Sequence, residues 1–215
     1  MPTVLLTGFE PFGGDATNPS QDIVRALDGR TIAGHRVAGR VLPCVFGKSV
    51  RELRRWLRRE RPLLVICLGV AAGRGAITPE RVAINLDDAR MPDNAGEQPV
   101  DRPIARGGPA AYFSTLPVKG IVAALARRGL PAAVSHTAGT FVCNHVFYSL
   151  MRTLARRRGR AGAVRGGFIH VPAADTAGGS RPGLALAEQI AGIEIAIRTS
   201  LRLRRDARHR GGEIA

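Results

Sequence analysis

The sequence predicts an α/β domain whose sheet is largely parallel and covered by helices. Two observations carry this reading. Short apolar or β-branched runs alternate with segments of helical period, and no Pro/Ser-rich linker or shift in composition divides the 215 residues. One domain over residues 1–215 is expected, with a basic tail from about 205 to 215 frayed.

The first strand is expected at 3–8, where Thr3-Val4-Leu5-Leu6-Thr7 is apolar and β-branched. The first helix, near 19–28, has start and stop signals. Asn18 can cap it, Pro19 suits its first position, Gln21 can complete a capping box and Gly29 ends it. A strand at 36–43 and a helix near 47–60 follow, then a strand at 63–69 built on Leu63-Leu64-Val65-Ile66-Cys67-Leu68. After a strand at 81–86, the segment Asp87 to Pro109 is rich in Asp, Pro and Gly and reads as one long loop, a kind of segment often functional in compact domains. A helix near 117–129 and a strand at 132–136 precede a helix near 143–158, marked by Val142, Val146, Phe147, Leu150, Met151 and Leu154 at helical spacing. A strand at 166–171 stops at Pro172, and a long helix near 184–204 closes the order.

Composition excludes several function classes. The N-terminus enters a strand directly, with nothing like a signal peptide, and no apolar run approaches the roughly 20 residues needed to cross a bilayer, so a soluble cytoplasmic protein is expected. Cys44, Cys67 and Cys143 are odd in number and widely spaced, with no CxxC or Cys/His pattern, so neither a disulfide framework nor a metal site is expected. Cys67, inside an apolar run, reads as a core thiol. The formal charge of +15 invites a nucleic-acid partner. Its distribution points instead to a compositional bias, because Lys48 and Lys119 are the only lysines among 32 basic residues and the arginines collect on helix backs and ends. No aromatic platform or nucleic-acid motif accompanies them, so neither nucleic acid nor membrane is expected as a partner.

The chemistry centres on Ser135-His136-Thr137-Ala138-Gly139-Thr140-Phe141-Val142-Cys143-Asn144, where a small, polar loop feeds an amphipathic helix. Cys143 falls in or beside the first helical turn, where free N–H groups and the helix dipole favour a thiolate and can also hold an oxyanion. A thiol nucleophile needs a general base and a group that orients it. His170, at the end of a strand before Pro172, is well placed, although an isolated buried histidine is commonly structural. His145, two residues beyond the thiol, should point away from it, His136 is a rival, and His209 lies in the basic tail. Glu80, fixed between Pro79 and a strand, is the candidate orienting acid. Pairing with Arg81 at the surface is the plainer reading, and Asp87, Asp88 and Asp93 compete. In Thr7-Gly8-Phe9-Glu10-Pro11-Phe12-Gly13-Gly14 the pattern is neither GxGxxG nor GxxxxGK[ST]. Phe9 and Phe12 either flank a flat apolar ligand group or cover the sheet end.

These motifs together resemble pyroglutamyl peptidase I, also called pyrrolidone-carboxylate peptidase, a family of cytoplasmic cysteine exopeptidases. The similarity runs from about residue 3 to 200. It rests on Thr7 to Gly14 with Asn18-Pro19-Ser20, Ile77 to Asn85, Pro92-Asp93-Asn94, Gly139 to His145, and Phe168 to Pro172. The resemblance implies a three-layer α/β/α sandwich with a twisted, largely parallel but mixed central sheet, usually assembled as a homotetramer and needing no cofactor or metal. It implies a Cys143–His170–Glu80 triad that removes N-terminal pyroglutamyl residues from peptides through a thioester. It also implies Arg90 beside the Cys143 N–H at the oxyanion, and Phe9, Phe12, Phe141, Val142 and Asn18 around the lactam ring.

Three stretches depart from the family pattern. Gly69-Val70-Ala71-Ala72-Gly73-Arg74 stands where Gly-Gln-Ala-Gly-Gly-Arg is common, so Val70 replaces a polar side chain. Ser135-His136-Thr137 replaces Ser-Asn-Ser, and Ala173 to Ser180 replaces the Tyr-Leu-Pro segment after His170. The change at Val70 sets an alternative expectation, a pyrrolidone-binding protein with weak or lost turnover.

Overall fold

Alternation along the central strands sorts side chains into two layers. The computed structural model describes residues 1–156, 163–174 and 183–208. Its six-stranded sheet combines β1 (Thr3–Phe9), β2 (Thr31–Ile32), β3 (His35–Leu42), β4 (Leu64–Val70), β5 (Thr78–Pro79) and β8 (Arg165–Val171) in the order β2-β3-β1-β4-β8-β5. The four inner strands run parallel, while β2 and β5 pair antiparallel at the edges. This is the mixed, mostly parallel sheet the sequence predicts.

One face carries Val4, Leu6, Leu64, Ile66, Leu68, Ile169 and Val171, which pack with apolar residues of α1 (Pro19–Leu27), α3 (Val118–Ala126) and α5 (Leu186–Arg202). The other carries Leu5, Phe9, Val65, Cys67 and Phe168, which pack with α2 (Lys48–Glu60) and α4 (Val142–Ala155). Each fully buried Leu, Ile, Val or Phe stabilises the sandwich by about 1.5–3 kcal/mol. The inner strands therefore read as nearly continuous apolar runs.

At α1 the capping signal is realised differently in detail. The Asn18 side chain accepts from the backbone N–H and the hydroxyl of Ser20, rather than closing a box with Gln21. The helix start then presses on the first strand. A Cβ on Gly8 would sit 2.3 Å from the Ser20 carbonyl oxygen, so glycine is what lets the Phe9 N–H reach Ser20 Oγ at 3.0 Å.

Elsewhere the structure corrects the sequence reading. Residues 132–136 form no ladder; they run beside β5 through isolated parallel bridges, Ala132 to Ile77 and Ser135 to Glu80. The strand expected at 81–86 is β6 (Val82–Ile84), which leaves the central sheet to pair with β7 (Ala111–Phe113), an element without a sequence signal. The long loop between them is present and is pinned by reciprocal backbone bonds between Asp87 and Arg102. Two further short strands, β9 (Ala173–Ala174) and β10 (Gly183–Leu184), pair after the sheet. The start of the tail is anchored, because Asp206 accepts from the Lys119 and Gly120 N–H groups and so caps α3. His209 and the last residues of the expected tail, the end of the helix predicted to 158, and most of the segment after Ala174 lie outside the described residues.

Candidate active site

Register brings the predicted residues to one face at the carboxyl end of the sheet. His170 pairs with Gly69 on one side and with Thr78 on the other. It shares its face with Phe168, whose ring centroid lies 4.9 Å from the imidazole. This is the α2/α4 face, and Cys143 lies in the first turn of α4. A Cβ placed on Gly69 would come within 2.8 Å of Cys143 Sγ and 2.9 Å of Phe168 Cζ. The thiol thus lies over Gly69, one strand from His170, and any side chain at Gly69 would displace it.

Glu80 is fully buried and His170 is 4% exposed. The imidazole Nδ1 lies 2.7 Å from Glu80 Oε1. The same oxygen accepts from Arg74 Nη1 at 2.8 Å, so the plainer pairing of Glu80 with Arg81 gives way to Arg74 and His170. No bond to His170 Nε2 occurs among the described residues.

The acidic competitors have other duties. Asp87 pairs with His145, and Asp93 accepts from the N–H groups of Phe46, Ala95 and Glu97. Asp88 is exposed and touches Thr140 through its backbone. His136 is exposed. His145 lies between Asp87 on Nδ1 at 2.9 Å and the Gly47 N–H, which donates to Nε2 at 3.1 Å.

The expected ready-made thiolate is corrected. Burial pushes the Cys143 thiol up to about 12, with the charge of Glu80 adding to the rise. Arg74 and the backbone N–H of Cys143 itself act in the opposite direction. The dipole argument missed desolvation, which disfavours the charged form and here outweighs the helix terminus. A thiol so placed needs a base to take its proton if it is to act as a nucleophile. Cys67 is also raised to about 12 by burial, and Cys44 beyond the ordinary thiol range. Of the three free cysteines only Cys143 is partly exposed.

The start of α4 leaves backbone donors without a side-chain cap. Phe141 is the N-cap of α4 and makes no side-chain cap bond, so the first-turn N–H groups meet no capping side chain. Thr140 Oγ1 donates to the Asp88 carbonyl at 2.7 Å and the Asp88 N–H to the Thr140 carbonyl at 3.0 Å. These bonds hold the loop bearing the exposed Arg90 against the nucleophile loop.

Phe12 and Phe141 are half-buried rings 5.9 Å apart, whereas Phe9 and Val142 are buried behind them and Asn18 is committed to Ser20 and the Glu10 carbonyl. Sequence reasoning missed three residues here. Phe46 meets Phe141 edge-on at 5.4 Å. Asn144 exchanges hydrogen bonds with the Ile84 backbone and donates to the Leu86 carbonyl, clamping α4 to β6. Arg74 is the third, and only its place at the end of the glycine-rich stretch after β4 marked it. Among the described residues no group of three or more His, Cys, Asp or Glu is arranged for a metal ion, and no helix is long and apolar enough to cross a membrane.

A family model described as pyroglutamyl peptidase matches residues 2–203. The chain belongs to the pyroglutamyl peptidase family. Its relatives in that family include pyrrolidone-carboxylate peptidase 1 of Ralstonia nicotianae, 54% identical over all of both chains. Another is the pyrrolidone-carboxylate peptidase of Klebsiella pneumoniae, 53% identical over 99% of each. Pyroglutamyl peptidase I of Bacillus amyloliquefaciens superposes with a TM-score of 0.91 at 46% identity, over 96% of this chain and 100% of that one. A mutant pyrrolidone carboxyl peptidase of Pyrococcus furiosus gives 0.87 at 41%, over 93% and 98%. A pyroglutamyl peptidase is a hydrolase, in accord with the expected reaction class. The comparisons give no support to the alternative of a binding protein without turnover.

Proposed function

We propose that this chain removes N-terminal pyroglutamyl residues from peptides with Cys143 as nucleophile, His170 as acid and base, and Glu80 as the group that orients the imidazole. The observation that carries the assignment is the buried 2.7 Å contact of Glu80 with His170 Nδ1, one strand from a thiol seated over Gly69. Glu80 holds the tautomer in which Nε2 is the basic nitrogen. As Cys143 Sγ attacks the pyroglutamyl carbonyl, its proton passes to Nε2 and the negative charge develops on the carbonyl oxygen, so no free thiolate has to form first. The tetrahedral oxyanion is received by the first-turn N–H of Cys143, with Arg90 alongside. His170 then returns the proton to the departing amine. Water, deprotonated by the same nitrogen, hydrolyses the thioester.

Phe12 and Phe141 supply the walls for the lactam ring, with Phe9 and Val142 behind them and Asn18 fixing the entry loop. Pyroglutamate has no charged amine, so an apolar slot without an acidic anchor suits it, and lactam hydrogen bonds supply the discrimination. The resemblance further supports a cytoplasmic homotetramer, which sizing by light scattering would test.

Release of a fluorescent amine from a pyroglutamyl anilide, with a prolyl anilide as control, tests the reading. Wild type is expected to turn over the pyroglutamyl substrate alone, and Cys143→Ala to abolish it. An inactive wild type, or an active Cys143→Ala, overturns the assignment. In the same assay Val70→Gln should change KM more than kcat, since Val70 occupies the position of the family's polar side chain.

A further inference from the structure

We propose that Arg74 is a positioning residue that completes the site, locking Glu80 onto His170 while tying both to the loop that delivers Cys143. Three hydrogen bonds define this role. Arg74 Nη1 donates to Glu80 Oε1 and to Thr78 Oγ1, each at 2.8 Å, and Nη2 donates to the Thr137 carbonyl at 2.9 Å. One guanidinium therefore joins the acid, the strand paired with His170 and the segment before the nucleophile. Its planar fork suits such a junction, because its N–H groups leave in fixed directions.

Charge accounting gives the junction a second purpose. Glu80 is fully buried, and its Oε2 meets no protein donor among the described residues. Its side-chain partners among the described residues are His170 and Arg74, both on Oε1. When the proton moves from Cys143 Sγ to His170 Nε2, the S–H bond breaks and an N–H bond forms. Glu80 gives this buried place a net charge of minus one, both before the proton moves and when imidazolium, carboxylate and the oxyanion formed on attack are present together, which is unfavourable unless balanced. Arg74 balances it. Its charge also opposes the rise that burial and Glu80 impose on the Cys143 thiol.

The bond to Thr137 matters for geometry. Thr137 lies between Ser135, which bridges to Glu80, and Gly139, whose φ of 73° turns the chain towards Phe141. Arg74 thus fixes the loop at a point between the acid and the nucleophile. A displacement of about 1 Å there costs up to roughly 100-fold in rate.

This inference rests on the site proposed above, and its test separates the two. Arg74→Gln and Arg74→Lys would be compared with wild type and Cys143→Ala in kcat, KM and the pH dependence of Cys143 alkylation by iodoacetamide. Arg74→Gln is expected to lower kcat by about 10- to 100-fold with KM changed less than about 3-fold. It should also move alkylation to higher pH, since the charge opposing Glu80 is gone. Arg74→Lys keeps the charge but not the fork, so it should restore the alkylation profile while kcat stays low.

Should Arg74→Gln prove unstable, Arg74→Lys and chemical rescue of Arg74→Ala by added guanidinium carry the same test. Failure of guanidinium to raise kcat, together with wild-type kcat in Arg74→Lys, overturns the role. A folded Arg74→Gln with unshifted alkylation and wild-type kcat overturns it alone, provided Cys143→Ala is inactive. Turnover that survives Cys143→Ala overturns the site itself and this inference with it.

Discussion

Two histidines of this chain are each held by a carboxylate on Nδ1, and the proposed reaction uses only one of them. His170 meets Glu80 at 2.7 Å and His145 meets Asp87 at 2.9 Å. The difference lies at the other nitrogen. His145 Nε2 accepts the Gly47 N–H at 3.1 Å, so its lone pair holds the start of α2 and the ring edge meets Phe46. His170 Nε2 has no such partner among the described residues and lies on the face where Cys143 Sγ covers Gly69. An Asp–His or Glu–His pair is therefore a catalytic element only when the distal nitrogen is left for a substrate or nucleophile. The same pair with both nitrogens bonded is a structural clamp.

The largest effect should come from exchanging that distal nitrogen. His170→Gln is expected to reduce kcat/KM by about 1,000-fold or more with the fold intact, whereas His145→Gln should leave kcat within about 5-fold and lower stability by about 2 kcal/mol. Paired anilide kinetics and urea unfolding check this, and equal losses of activity would break the comparison. Next, Glu80→Gln should cost about 100- to 1,000-fold in kcat, because an amide can donate to Nδ1 and select the wrong tautomer. Asp87→Asn in the other pair should show its effect in the unfolding midpoint and not in kcat.

A smaller effect is expected at the nucleophile. Gly69→Ala introduces a Cβ 2.8 Å from Cys143 Sγ, and steady-state kinetics should show kcat reduced about 10- to 100-fold with the fold retained. The smallest effect concerns pH and stability. Cys67 and Cys143 hold their protons to about 12 when folded, well above the ordinary unfolded thiol value of about 8.5. Between those values the folded chain binds more protons than the unfolded one, so the thiol contribution is full below about pH 8.5 and is lost as pH rises towards 12. Urea midpoints from pH 8 to 10 should fall for this reason, and Cys143→Ala should flatten the slope by removing one of the raised thiols.

Much of the fold was legible in local pattern. The strands β1, β3, β4 and β8 follow from short apolar or β-branched runs and the helices from helical spacing and capping signals, and the Asn18-Pro19 start marks α1 within one residue. What failed was short or edge structure. Residues 132–135 have strand composition yet make only isolated bridges, and β7 is three residues whose pairing with β6 depends on the route of the intervening loop. The residues proposed as nucleophile, base and acid, Cys143, His170 and Glu80, could be singled out by type and by their place at element ends. Phe46, Asn144 and Arg74 were not, because each acts through contacts with segments brought close only by folding.

By itself the sequence determined which residues alternate into the core, where helices begin, which thiol stands at a helix start and which motifs mark the family. Tertiary structure alone decided that Glu80 faces His170 across 90 positions of chain, that Asp87 takes His145, that Gly69 lies beneath the thiol and that Arg74 shares the Glu80 oxygen. It also decided that the Cys143 thiol is raised rather than lowered. The reason is one of range. Periodicity, capping and dipole act within a few residues, but desolvation and carboxylate pairing depend on strand order and on what the packed layers leave exposed to water.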